Sequence, residues 1–159
     1  MTGSGAGAAR GTSADRELLL EAIALARRCP PSDTAFSVGA IIVADDGEEL
    51  GRGWSRRHGP TEHAEEAALA QVTGDDRLRL RTATIYTSLE PCSKRASRAV
   101  TCTEHILAAG IGRIVYAWSE PALFVEGHGA ELLRRAGRTV IQFADLADAA
   151  REPNLHLLS

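Results

Sequence analysis

Apolar residues recur along the chain at two different spacings, which predict alternating helices and strands. In residues 15–29 they fall three or four positions apart, the spacing of an amphipathic helix that Pro30 and Pro31 end. Residues 38–43 form a nearly continuous apolar and β-branched run, which predicts a strand covered on both faces. The same patterns predict strands at residues 50–54, 83–88, 113–117 and 139–143, and helices starting near Thr61, within residues 97–109, at residues 129–136 and at about residues 145–158.

Strands that alternate with helices after a first hairpin predict an α/β domain with a mixed sheet, in which crossover helices make the later strands parallel. The 159 residues suffice for one domain with its own core and are too few for two ordinary ones. We expect a flexible tail at residues 1–13, where small residues bury little surface, and a single domain at residues 14–159. Ligands of such sheets gather beyond the carboxyl ends of the strands, which is where Cys92 falls.

Composition and charge narrow the class of function. A net charge of -3 and an aromatic content of 4% disfavour nucleic acid as a partner, because they supply neither a basic field nor many stacking platforms. Three cysteines without a secretory context favour metal binding in a reducing cytoplasm over a disulfide. No apolar run approaches the length of a transmembrane helix, so we expect a soluble cytoplasmic protein without a membrane partner.

Four residues have side chains suited to a metal site. They are His63 with an imidazole, Glu65 with a carboxylate, and Cys92 and Cys102 with thiols. This set suits a zinc site in which three side chains bind Zn²⁺ and the fourth moves protons. Residues two apart on a regular helix point about 200° from one another, so His63 and Glu65 share a site only at a helix entry. For this pair alone, a solvated histidine beside an exposed glutamate is the alternative. The two cysteines favour the zinc site.

The second cysteine lies in the run Thr101-Cys102-Thr103-Glu104, which has the form of a capping box with Thr101 as N-cap. Cys102 then falls in the first helical turn, where the helix dipole and the backbone N–H groups favour a thiolate. Cys29 lies on the apolar stripe of the first predicted helix. It is more typical of a small buried hydrophobic residue than of a fourth metal ligand.

The H-x-E pattern at residues 63–65, with Pro91-Cys92 and Cys102, resembles the signature of the cytidine-deaminase superfamily. The resemblance extends through residues 36–43 and 102–111 and covers roughly residues 15–145. Within the superfamily, the chain looks most like the pyrimidine deaminase of riboflavin biosynthesis. This narrower likeness lies in the sequence of residues 89–93, LEPCS, and in the long basic loop that follows it. The likeness implies a three-layer α/β/α cytidine-deaminase-like fold with a mixed five-stranded sheet.

The resemblance also implies roles for individual residues. Zn²⁺ is held by His63, Cys92 and Cys102, and the catalytic Glu65 binds no metal and shuttles protons. Homodimers or homotetramers are the implied assembly. The nine residues between the two cysteines depart from the familiar spacing of two. Ala35 stands where related enzymes have a sugar-binding asparagine, which weakens the expectation of ribose recognition.

Substrate contacts are expected on both sides of the metal. The basic loop carries Lys94, Arg95 and Arg98, which suit a phosphate on a small substrate, and a merely solvated loop is the alternative. The Phe36 ring is expected to pack either against the substrate ring or into the hydrophobic core. By the resemblance, backbone groups near Ala64 and in residues 88–91 contact the reacting amino group.

These observations favour a zinc-dependent hydrolase that deaminates a small aminopyrimidine nucleotide or a related heterocycle and releases ammonia. The alternatives are a cytidine, deoxycytidylate or purine-base deaminase and, with less support, a nucleic-acid deaminase. A non-catalytic zinc-stabilised binding protein is the alternative from another class. The intact Glu65 disfavours it.

Overall fold

Five strands form one mixed sheet in the computed structural model, which describes residues 10–92, 100–119 and 129–158. The strands are β1 (Gly39–Val43), β2 (Glu49–Trp54), β3 (Thr84–Leu89), β4 (Arg113–Trp118) and β5 (Thr139–Gln142). Their order is β2-β1-β3-β4-β5. Strand β1 is antiparallel to both of its neighbours, whereas β3, β4 and β5 are parallel to one another. The predicted mixed sheet with parallel later strands is confirmed.

Helices cover both faces of this sheet. They are α1 (Ser13–Leu25), α2 (Ala64–Ala70), α3 (Cys102–Ala109), α4 (Gly129–Arg135) and α5 (Ala147–Arg151), with short 3₁₀ segments at Ala26–Arg28, Gly74–Thr82, Ala144–Leu146 and Glu152–Leu157. Helix α1 packs on β1, β3 and β4, and α5 packs on β3 and β4. On the other face, α2 packs on β1 and β2, α4 packs on β5, and α3 lies between α2 and α4. This arrangement is the predicted three-layer α/β/α fold.

Two glycines let the helices approach the sheet closely. A Cβ at Gly39 would lie 2.0 Å from the carbonyl oxygen of Ala22 in α1, and a Cβ at Gly53 would lie 2.5 Å from the Cβ of Ala67 in α2. Gly53 pairs with Ala40, the residue after Gly39, so the two glycines lie on opposite faces. The sheet therefore meets α1 and α2 backbone to backbone, which brings the start of α2 close to the strand ends.

The first helix begins at Ser13, two residues earlier than predicted, because Thr12 caps it. The hydroxyl of Thr12 accepts a hydrogen bond from the Asp15 N–H (3.1 Å), and the Asp15 carboxylate accepts one from the Thr12 N–H (2.9 Å). The buried Asp15 also accepts hydrogen bonds from Tyr86 Oη (2.7 Å) and from Arg113, which anchor α1 to β3 and β4. Residues 1–9 of the predicted tail lie outside the described residues.

Two other predicted helices have different bounds. Helix α2 begins at Ala64 rather than near Thr61, because His63 still has extended backbone and acts as its N-cap. The predicted final helix is broken into α5 and two 3₁₀ segments. Pro153, near the start of the last segment, has no N–H to continue an α-helix. Among the described residues, no helix is both long enough and apolar enough to cross a membrane.

Candidate metal and proton-transfer site

The site residues come from the carboxyl edge of the sheet. His63 follows β2 as the N-cap of α2, Cys92 follows β3, and Cys102 is the first residue of α3. Strands β2 and β3 run in the same direction, since both are antiparallel to β1, so their carboxyl ends meet at one edge. The expectation from parallel-sheet topology that Cys92 lies at this edge is confirmed.

Three side chains converge there with the chemistry of metal ligands. The Nδ1 atom of His63 lies 3.1 Å from Cys102 Sγ and 3.7 Å from Cys92 Sγ. The three ligand atoms lie within 4.8 Å of one another, and this is the group of potential metal ligands that the described residues form. One imidazole nitrogen and two sulfurs at such separations fit the ligand set of a catalytic zinc site, which leaves a fourth position open.

The start of α3 stabilises the thiolate form of Cys92. Its sulfur interacts with the Cys102 thiol and accepts a hydrogen bond from the Cys102 N–H (3.3 Å). These bonds, with a further contribution from His63, lower the pKa of Cys92 to about 4. The N–H of Thr103 (3.1 Å) and its hydroxyl (2.8 Å) both donate to the Cys92 carbonyl oxygen. The segment that carries the first sulfur is therefore fastened to the helix that carries the second.

The predicted helix entry at His63 is also observed. The His63 N–H donates to Glu66 Oε1 (2.9 Å), which satisfies a backbone group at the start of α2. Glu66 also lies 3.4 Å from His105 in α3, so one carboxylate joins the two helix starts. The capping box predicted at Thr101 and Glu104 is confirmed, and it places Cys102 in the first turn as expected.

Glu65 is buried in the first turn of α2, and its carboxylate accepts a hydrogen bond from Thr87 in β3. The residue is 4% exposed, and Thr87 Oγ1 lies 3.2 Å from Glu65 Oε2. Burial raises the pKa of Glu65, because a carboxylate is poorly solvated there, and the nearby His63 partly opposes this shift. A buried carboxyl group with a raised pKa, next to a metal-ligand cluster, is suited to take up and release protons.

Other candidate ligands and proton carriers are engaged elsewhere. The thiol of Cys29 lies 3.5 Å from the Val38 carbonyl oxygen, and Cys29 lies outside the ligand cluster. His58 pairs with Glu62 at 3.0 Å. The buried Glu90 accepts the Ala130 N–H at 2.9 Å. Glu65 is thus the carboxylate among these that adjoins the cluster.

The predicted substrate contacts divide into described and undescribed residues. Phe36 packs against Trp118 at the end of β4, with ring centroids 5.1 Å apart and planes at 67°. Ala64 is fully buried as the first residue of α2. The basic residues Lys94, Arg95 and Arg98 lie outside the described residues. All five assignments stay predictions.

A clasp that the sequence did not reveal holds the segment before β1. The Arg56 guanidinium donates to the carbonyl oxygens of Pro30 (2.7 Å) and Phe36 (3.0 Å) and to Ser37 Oγ (2.8 Å). The fully buried Asn154 binds the Ser37 N–H (2.6 Å) and carbonyl oxygen (3.0 Å). Arg56 has a φ angle of 61°, which is uncommon for a residue other than glycine. An arginine at this position gives no sign in the sequence of such a backbone conformation. The clasp fixes the backbone that carries Phe36.

Comparison with known proteins assigns the chain to a family. A model of the cytidine and deoxycytidylate deaminase zinc-binding region matches residues 12–118. The diaminohydroxyphosphoribosylamino-pyrimidine deaminase of Schizosaccharomyces pombe is 39% identical over 127 residues, which are 79% of this chain and 31% of that protein. The riboflavin biosynthesis protein RibD of Escherichia coli is 39% identical over 101 residues, which are 64% of this chain and 26% of that protein.

A solved structure gives the same result for the fold. The structure of Acinetobacter baumannii RibD, form 2, superposes with a TM-score of 0.76 at 32% identity and covers 91% of this chain and 39% of that one. The chain spans 31% and 26% of the length of the two curated relatives. The likeness to riboflavin-pathway pyrimidine deaminases, expected from LEPCS and the loop after it, is confirmed. The chain belongs to the cytidine and deoxycytidylate deaminase family.

Proposed function

We propose that this chain binds one Zn²⁺ through His63 Nδ1 and the sulfurs of Cys92 and Cys102, and hydrolytically deaminates a small aminopyrimidine nucleotide. The observation that carries the proposal is the buried Glu65 beside three convergent ligand atoms. Two thiolates offset the charge of Zn²⁺, and the lowered pKa of Cys92 supplies one of them at neutral pH. Zinc, when bound, lowers the pKa of a coordinated water towards neutrality.

The protein's part in the reaction falls to Glu65. Its Oε2 atom accepts a hydrogen bond from the Thr87 hydroxyl, which orients the carboxyl group. We assign proton transfer to this carboxyl group. Glu65 takes a proton from the attacking water and gives it to the ring nitrogen next to the amino-bearing carbon. It then takes the second proton from the newly formed hydroxyl group and delivers it to the departing amine. The C–N bond breaks, a C–O bond forms, and the amino group leaves as ammonia, so one water is consumed for each ammonia released.

The name of the fission-yeast relative supports the substrate class. It describes a pyrimidine with two amino groups, a hydroxyl group and a phosphoribosylamino group. A phosphate on such a substrate needs a cationic partner, and we propose Arg95 and Arg98 for it. Phe36 is proposed to border the ring, and backbone groups near Ala64 to bind the amino group. Changing both arginines to alanine should raise KM for a phosphorylated substrate, and an equal loss on an unphosphorylated analogue would contradict this role.

The proposed reaction is tested by an ammonia-release screen on the zinc-loaded chain. The panel contains phosphorylated and unphosphorylated diaminopyrimidines, cytosine compounds and aminopurines. We expect the highest kcat/KM on a phosphoribosylated diaminopyrimidine, and protein stripped by a chelator is the matched control. Preference for cytidine, deoxycytidylate or an aminopurine would select the alternative enzyme class. Bound zinc without ammonia from any compound would make the chain a binding protein.

We also propose that the protein works in the cytoplasm as a homodimer or homotetramer. A His/Cys/Cys metal site needs reduced thiols, which a reducing compartment maintains. Light scattering at micromolar concentration tests the assembly, and a monomeric mass would contradict it.

A further inference from the structure

A positively charged concavity lies at the opposite end of the strands from the metal-ligand cluster. It has a volume of about 900 Å³ and is lined by Arg77, Arg81 and Arg138, with Leu78 and Leu107 contributing apolar surface. Arg81 lies just before β3, and Arg138 directly precedes β5, so this concavity, here called the arginine groove, is at the amino ends of the parallel strands. It is therefore separate from the site at the carboxyl ends.

The groove concentrates positive charge in a chain whose net charge is -3. Its lining contains no acidic residue among those the structure describes. Arg79 lies between Arg77 and Arg81 in the chain, yet it pairs with Asp46, Glu48 and Asp76 at 2.7 to 3.1 Å. These three carboxylates therefore pair with Arg79 and not with an arginine of the groove. In the described ranges, no carboxylate forms an ion pair with the three groove arginines.

Arg138 carries a further sign of a missing acceptor. Its Nε atom is buried and has no hydrogen-bond partner within the protein, and it is the one such side-chain nitrogen or oxygen in the part of the chain that the structure describes. A buried N–H group without an acceptor costs free energy, so such groups in native proteins point to an ion, a water or a ligand. An anion in the groove would supply the acceptor.

We propose that the arginine groove binds a phosphate group, either inorganic phosphate or the phosphate of a small organic ester. A guanidinium group donates two parallel hydrogen bonds to a phosphate, and two or three such groups balance its double charge. The exposed Leu78, at 80% of its maximal exposure, and the half-buried Leu107 offer apolar contact to the organic part of an ester. The site is independent of the proposed deaminase reaction, since it shares no residue with it.

The experiment is a titration of the full zinc-loaded chain. It is followed by the NMR signals of the arginine Nε–H groups and of the amides of Gly110 and Gly112, which also line the groove. Inorganic phosphate and ribose 5-phosphate are added separately at constant ionic strength, with chloride as the control anion. We expect saturable shifts at Arg138 Nε–H with a Kd of about 1 mM or below. Tighter binding of ribose 5-phosphate would identify an ester as the ligand, and equal binding would identify phosphate alone.

Variants connect the signals to the groove. The double variant R81Q/R138Q should weaken phosphate binding by at least about tenfold. R27Q, which removes the same charge from an arginine paired with Glu152, should bind like the wild type. R138K keeps the charge and removes the Nε–H, so it should also bind more weakly, and it serves if the double variant does not fold.

Absence of saturable shifts in the wild type would overturn the proposal. Unchanged affinity in R138K and the double variant would overturn it too, because the arginines would then only offset the negative carboxyl end of α3.

Discussion

Thr87→Val tests whether the hydroxyl in β3 holds Glu65 ready for proton transfer. Valine has nearly the shape of threonine, so it removes the hydrogen bond to Glu65 Oε2 while keeping this fully buried position filled. A hydrogen bond to a charged group is worth about 1.5–3 kcal/mol. This one is long at 3.2 Å, and the same hydroxyl lies 3.1 Å from the Leu89 carbonyl oxygen, so we take the lower end. About 1.5 kcal/mol corresponds to roughly a tenfold loss of kcat.

The assay is steady-state ammonia release by zinc-loaded protein on the best substrate of the screen. KM and zinc content should stay at the wild-type values, because Thr87 is proposed to act through Glu65 and not on the substrate or metal. Thr87→Ser is the matched control: it keeps the hydroxyl and loses a buried methyl group, so it should lower the free energy of unfolding by about 1 kcal/mol and keep kcat. A valine variant with wild-type kcat, or a serine variant that loses as much kcat as valine, would refute the positioning role.

Two further predictions concern the metal ligands and the scaffold. Cys102→Ser should lower zinc content and melting temperature together, since the cluster joins two helix starts and a strand end, and full zinc occupancy measured by mass spectrometry would refute the ligand assignment. Asp15→Asn should destabilise the fold by about 2 kcal/mol at neutral pH, because it removes the charge that pairs the buried Asp15 with the partly exposed Arg113. Burial alone would raise the pKa of Asp15, but the hydrogen bonds from Arg113 and Tyr86 outweigh it and hold this pKa well below its usual range. The stabilisation that the ionised Asp15 gives the fold is therefore present above about pH 4, and it is lost as the pH falls towards the pKa of Asp15 in the folded protein. Denaturant unfolding at a series of pH values should show wild type and variant converging in acid, and a constant difference would contradict this reasoning.

The residues of the metal-ligand cluster could be predicted because the signals that place them are local. A capping box spans four residues, so Thr101 and Glu104 fix the start of α3 and put Cys102 in its first turn. The two-residue separation of His63 and Glu65 required a helix entry, and His63 is the N-cap. The mixed sheet with parallel later strands likewise followed from the alternation of strands and helices, whereas the three-layer arrangement was expected from the family resemblance.

The start of α1 was missed for a related reason. Thr12 and Asp15 form the same kind of reciprocal cap, but Thr12 follows a run rich in glycine and alanine that resembles a tail. The sequence gives no sign of the other two partners of Asp15, because Tyr86 and Arg113 are 71 and 98 residues away. Side-chain contacts of that kind depend on how α1 is seated on the sheet, which local patterns do not encode.

The groups that support the site share this limit. In the sequence, Thr87 is indistinguishable from the other residues of a buried strand. Its hydrogen bond to Glu65 forms because α2 packs on the sheet. Asn154 reads as a residue of the last predicted helix, yet the break in that helix sends its amide to Ser37, 117 residues earlier. Motifs identify the reacting groups, and tertiary packing selects the groups that hold them.

Glu65 is assigned to move protons and not to hold metal, and the Glu65→Gln variant separates these two roles. Glutamine keeps the size and polarity of the side chain and removes its ability to exchange a proton. Zinc content and kcat are measured on the same sample, with ammonia release as the assay. We predict full zinc occupancy and a kcat lower by at least about 10² to 10⁴. Near wild-type turnover with zinc bound would show that Glu65 is not the proton carrier.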